Sequence, residues 1–221
     1  MTALLCHVGP DDGFSPAFRR KLAAAAGVEV ESLVEIRHLA ERILAVEPPA
    51  ISLAPMSTCW IGCRRPRAVR ALLAHAGIAL DGVTVHWLAD ETAMPLSPSG
   101  IQPGHPWFPV IDRDHCQNCD QCRQFCLFGV YARDDAGRVV VAHPLHCKPG
   151  CPACARLCPS HAIIFPFCPE TPINGDEPTA TSPPPAPLTF EQLAARRRGA
   201  VSREALDAAL AARAAHRDGK A

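Results

Sequence analysis

Cys116-Gln-Asn-Cys119-Asp-Gln-Cys122-Arg-Gln-Phe-Cys126 is the stretch on which the reading of this chain turns. It returns as Cys147-Lys-Pro-Gly-Cys151-Pro-Ala-Cys154-Ala-Arg-Leu-Cys158-Pro159, an internal repeat in which His115 and His146 stand immediately before the first cysteine of each copy. Eight of the chain's 12 cysteines lie in the two copies. In a short secreted chain such density indicates a disulfide framework. In a chain of 221 residues expected to stay in the cytosol it points to metal ligation instead. The start, Met1-Thr-Ala-Leu-Leu-Cys-His, has neither a basic stretch nor a long apolar core, so a cytosolic location is expected.

Three cysteines at two-residue spacing wrap a loop around one face of a cuboidal [4Fe–4S] cluster, with backbone N–H groups directed at the sulfides. The fourth cysteine of each copy, Cys126 or Cys158, lies three residues beyond that loop and faces away. Structural zinc is the competing reading. Zinc sites draw two ligands from each of two knuckles and have no use for a third closely spaced cysteine in both halves.

With those motifs, residues 107–167 resemble the bacterial-type two-[4Fe–4S] ferredoxin family. The resemblance implies an α+β fold in which Phe108–Ile111 pairs with Ala162–Phe165 and a short helix follows each cysteine loop. It also implies two [4Fe–4S] clusters with interleaved ligands: Cys116, Cys119, Cys122 and Cys158 for one, Cys147, Cys151, Cys154 and Cys126 for the other. Two positions depart from the family pattern. Leu127 stands where a proline usually follows the fourth cysteine, and one extra residue lies between Cys147 and Cys151.

Residues 1–94 alternate apolar runs with helical stretches, as a small α/β parallel-sheet domain does. Strands are predicted at Ala3–Val8, Val28–Val34, Ala50–Ala54 and Val83–Leu88. Helices are predicted at Pro16–Ala26, Ile36–Val46 and Pro66–Ala76. The first is bounded by Ser15 as N-cap and Gly27 as terminator. Residues 95–106 are rich in Pro and Gly and read as a linker to the cysteine-rich domain at 107–168, in which Val130–Arg133 and Val139–Val141 form a hairpin. Prolines then mark 169–187 as a semi-extended connector, and the Ala- and Arg-rich residues 188–221 as a helical tail.

Cys6, Cys59, Cys63 and Cys168 remain outside the repeat. Cys6 ends the first predicted strand and Cys59 and Cys63 follow the third, which opens them to the carboxyl edge of a parallel sheet. They form a possible second redox or metal site, with Arg64, Arg65 and Arg67 at hand to favour a thiolate. The plainer alternative is three small buried thiols. Cys6-His7 with Gly9, and Cys63 followed by Pro66-Arg67, resemble the iron–sulfur flavoprotein subunit of heterodisulfide reductases. In this chain Val8 replaces a second cysteine and no G-x-G-x-x-G is present, so that family's flavin site does not carry over.

Charge narrows the function classes. Lysine and arginine (22) balance aspartate and glutamate (22), leaving no global field for nucleic acid or an anionic membrane, and no apolar run is long enough to span one. Arg196-Arg197-Arg198 reads as a solvated helical face. The expectation is electron transfer through two [4Fe–4S] clusters, as a ferredoxin-like carrier or oxidoreductase subunit, with a redox protein as partner. One alternative is a redox enzyme subunit whose Cys6, Cys59 and Cys63 act on a disulfide or hold a further cofactor. Another is a binding module with structural clusters.

Overall fold

Serine at position 15 and proline at position 16 start the first helix as their chemistry dictates. In the computed structural model, α1 runs Pro16–Ala26, Ser15 Oγ accepts the Phe18 N–H at 3.1 Å, and Gly27 closes it at φ 65°. The structure describes residues 1–9, 13–45, 49, 51, 53, 55–90 and 106–178. The predicted linker at 95–106, except its last residue, and the helical tail at 188–221 lie outside these, as do parts of the Ala50–Ala54 strand and of the connector beyond 178.

Strands β1 (Thr2–Cys6), β2 (Val34–Ile36), β3 (Thr58–Cys63) and β4 (Thr84–Ala89) form one parallel sheet in the order β2-β1-β3-β4. Helices α2 (Leu39–Leu44) and α3 (Pro66–His75) contribute Leu39, Ala40, Ala68, Val69 and Leu72 to a core with Leu4, Cys6, Cys59, Ile61 and Cys63. On the other face Phe18 and Leu22 of α1 meet Leu5. A Cβ on Gly62 would come within 2.6 Å of Leu22, so glycine there lets the helix sit close to the strand. Both faces of the sheet are covered, as parallel sheets require.

The third strand corrects the sequence reading. It lies at Thr58–Cys63 rather than 50–54, so Cys59 and Cys63 belong to the strand instead of following it. Alternation explains the choice: Cys59, Ile61 and Cys63 face the core together with Leu4 and Cys6, and a strand is buried most fully by a two-residue period. Val28–Val34 likewise gives only a 3₁₀ turn at Val30–Ser32 before the short β2.

In the cysteine-rich segment β5 (Val110–Ile111) pairs antiparallel with β8 (Ile163–Ile164), and β6 (Tyr131–Arg133) forms a hairpin with β7 (Val139–Val141). A short helix follows each cysteine loop, α4 (Gln121–Phe125) and α5 (Ala153–Leu157). The architecture is a mixed α+β one, with a parallel sheet and several helices. Phe108, Val110 and Ile164 share a core with Leu4, Ile61 and Leu72 of the sheet region.

That junction is pinned by a buried ion pair. Arg67 and Asp112, each 2% exposed, meet at 2.9 Å. Arg67 also donates to the His161 and Asp176 carbonyls. The sequence suggested Arg67 as an activator of Cys63; in the fold it fastens α3 to the cysteine-rich segment. Residues 169–176 are not the extended connector expected. Ile173 and Asn174 are buried, Phe165 N–H donates to the Ile173 carbonyl at 2.7 Å, and Gly175, at φ 95°, packs against Ala68. Among the described residues no helix is long and apolar enough to cross a membrane.

Candidate functional site

The eight repeat cysteines are brought together from both halves of the segment. Cys116, Cys119 and Cys122 line one small pocket with Cys158 from the other copy. Cys147 lies within electrostatic reach of Cys154, Cys126 and Cys151, so Cys126 crosses over in the opposite sense. The two sets are adjacent, since Cys122 also feels Cys154. Exposure is graded: Cys119 is open to solvent, Cys116, Cys122, Cys126, Cys147 and Cys151 are half-buried, and Cys154 and Cys158 are buried.

Local polar contacts hold the loops in this arrangement. Asn118, at φ 54°, donates to the Gly137 carbonyl at 3.1 Å and accepts the Val139 N–H at 2.8 Å, lacing the first loop to the β6–β7 hairpin. Asp120, at φ 66°, accepts from Arg123 at 2.7 and 2.6 Å, which holds its carboxyl below the usual carboxylate range. His115 Nδ1 lies 2.8 Å from Asp112, the partner of Arg67. His146 is exposed and stacks on His143 at 4.9 Å.

Tyr131 is the chain's only tyrosine and is fully enclosed by the array; its hydroxyl donates to Cys154 Sγ at 3.1 Å. Spacing could not have found it, because it lies on the hairpin between the two copies.

Among the described residues, no group of three or more Cys, His, Asp or Glu side chains is suited to hold a metal ion. This corrects the expectation of two [4Fe–4S] clusters, and with it electron transfer through them, the zinc alternative and the module with structural clusters. Burial, and then the neighbouring thiols, push Cys147 up to about 12, Cys154 to about 12 and Cys122 higher still, although the Tyr131 hydrogen bond draws Cys154 back somewhat.

Cys6, Cys59 and Cys63 share one face of the sheet, under α2 and α3, and all are buried. Cys63 and Cys6 end their strands, whereas Cys59 sits opposite Thr2 at the amino end. Burial, with Cys59 nearby, pushes the Cys6 thiol up to about 12, and burial raises Cys59. All three are sealed from solvent, and Cys6 and Cys59 are held protonated at neutral pH, the condition of inert core cysteines. Cys168 is buried in the same apolar core as Tyr131, Ile163 and Phe165.

No family model matches the chain. It is 46% identical over 61 residues to an uncharacterized ferredoxin of Methanocaldococcus jannaschii, a match covering 27% of this chain and 41% of that protein. It is 33% identical over 79 residues to Ferredoxin-3 of a Nostoc species, covering 26% of this chain and 80% of the relative. It is 34% identical over 55 residues to pyruvate synthase subunit PorD of Methanocaldococcus jannaschii, covering 25% of this chain and 62% of the subunit. About three quarters of this chain therefore lies outside each of the three matches.

Proposed function

The chain belongs, as a distant member, to the ferredoxin family, and from that premise we propose that it is a redox partner protein whose array cysteines work as thiols, in dithiol–disulfide exchange with another redox protein. The observation that carries this reading is the crowding of thiols from both copies into two adjacent sets, several of them reaching solvent. Two such thiols and a partner disulfide give a chain disulfide and a partner dithiol. Two electrons and two protons pass to the partner and no other reactant is needed.

Attack falls to the solvent-exposed Cys119 and its part-exposed neighbours, because burial holds Cys122, Cys147 and Cys154 protonated and the thiolate is the attacking species. Cys6, Cys59 and Cys63 take no part, being enclosed in the core.

The test is a thiol count on chain purified without air, before and after exposure to oxidised thioredoxin, together with analysis for iron and acid-labile sulfide. Thiols should disappear in pairs, return with dithiothreitol, and be accompanied by no bound iron. Iron and sulfide retained by the chain would overturn the proposal.

A further inference from the structure

A groove that contains none of the cysteines opens where α3, β4 and the β6–β7 hairpin meet. Its volume is about 720 Å³, the size of a small-molecule site. Ala71 and Ala74 of α3, with Gly77 beyond it, bring little side-chain bulk to the floor. Ile78, Leu80 and Val140 add apolar wall.

An aromatic shelf forms one part of the groove. The Arg70 guanidinium lies 5.2 Å from the centre of the Trp87 ring and is ion-paired with Asp114. Trp87 is half-buried, so indole and guanidinium together offer a surface on which a planar heterocycle stacks. About one helical turn along α3, roughly 6 Å by the helix rise, Ala74 marks the level of Arg113. Arg113 donates to the Val139 carbonyl at 2.8 Å and makes no ion pair among the described residues. Its field is felt there: burial, and then Arg113, hold the neighbouring His75 imidazole below its ordinary range, which leaves it neutral at pH 7.

The other charges on the walls are mostly paired. Asp114 is taken by Arg70, and Asp134 by Arg138 at 2.9 Å. Among the lining residues this leaves one guanidinium, Arg113, and one carboxylate, Asp81, just before β4. A ligand that satisfies both carries an anionic group and hydroxyl donors as well as a ring.

We propose that this groove binds a nucleoside monophosphate, its base stacked on Trp87 and Arg70, its phosphate held by Arg113 and its sugar hydroxyls donating to Asp81. Base, sugar and phosphate follow one another over a span as short as that between the shelf and Arg113. The site stands apart from the thiol array and does not depend on thiol exchange.

Calorimetric titration of the full chain with AMP tests the assignment, with adenosine and inorganic phosphate as separate titrants. AMP should bind saturably, quench tryptophan fluorescence, and bind more tightly than either fragment. R113Q should weaken AMP at least about tenfold and leave adenosine unchanged, because a charge-assisted contact to the phosphate is lost. R113K should recover part of that loss. W87L should weaken AMP and adenosine alike by about tenfold and abolish the quench, because the stacking partner is gone. D81N should weaken adenosine and AMP by a smaller factor and leave phosphate unchanged. Circular dichroism and the thermal midpoint verify the fold of each variant; should W87L lose it, R113Q and D81N read the same groove from the other two contacts. No binding of AMP at about 1 mM overturns the site. So does AMP affinity unaltered in R113Q, or inorganic phosphate binding as tightly as AMP.

Discussion

Cysteine does opposite work in the two regions of this molecule. In residues 1–90 it is a core residue: Cys6, Cys59 and Cys63 fall at alternate strand positions, on the face that α2 and α3 cover. In residues 106–178 eight cysteines sit in or beside loops, where backbone at positive φ, an asparagine lace and two short helices keep the sulfurs crowded and six of them at least part-exposed. Residue type alone therefore does not set reactivity. A regular sheet seals a thiol as efficiently as it seals a valine, while loops tied down by polar contacts can hold thiols at a surface.

The largest expected effect tests that contrast directly. Under native conditions iodoacetamide should modify Cys119 more than about a hundredfold faster than Cys6, Cys59 or Cys63, because a sealed thiol reacts only through opening events that cost about 3 kcal/mol or more. Peptide mass spectrometry over time reads the order. Comparable rates at Cys59 and Cys119 would erase the distinction between the regions.

The second prediction concerns the pin between them. Arg67→Ala leaves Asp112 buried without its cation, and should lower stability by roughly 3–5 kcal/mol in urea unfolding. The change should also raise the labelling rate of the half-buried Cys116, because Cys116 N–H donates to the Asp112 carbonyl at 3.0 Å. A loss of stability below about 1 kcal/mol would mean the regions are held by apolar packing alone.

A smaller effect should stay within the first region. Ser15→Ala removes the cap of α1 and should cost about 1 kcal/mol without altering array thiol reactivity. Smaller again is the effect of pH at the edge of the sheet. Hydrogen bonding from Arg19, and then Arg37, holds Glu35 below its ordinary value of 4.5. Its contribution is therefore fully present above pH 4.5 and is lost as pH falls through the depressed folded value. Glu35→Gln should flatten the acid side of the stability profile slightly, the pair lying at the sheet edge where solvent screens it in part.

The features legible in the sequence were those fixed by near neighbours. Ser15, Pro16 and Gly27 mark both ends of α1 because capping is decided within a turn of the chain. The cysteine spacing likewise indicated which thiols come together across the repeat. Contacts made across longer separations were not legible. Arg67 read as a thiol activator because Cys63 is close in sequence, yet its partner Asp112 lies 45 residues away. The Thr58–Cys63 strand was not legible because its closely spaced cysteines carry a ligand-like pattern as well as a core one, and the apolar Ile51 and Leu53 competed for the same role. Those two side chains pack against the core from outside the sheet. The step from spacing to metal failed for a related reason. Spacing shows which sulfurs converge, whereas metal holding depends on how they are disposed once folded.

Thiols of one copy are set against thiols of the other. Brief diamide oxidation of the full chain, followed by peptide mapping of the disulfides formed, checks this arrangement. Bonds joining residues 116–126 to residues 147–158 are the predicted result, with Cys122 bonded to Cys158 or Cys154, and Cys126 to Cys147. Bonds confined within each copy would contradict it.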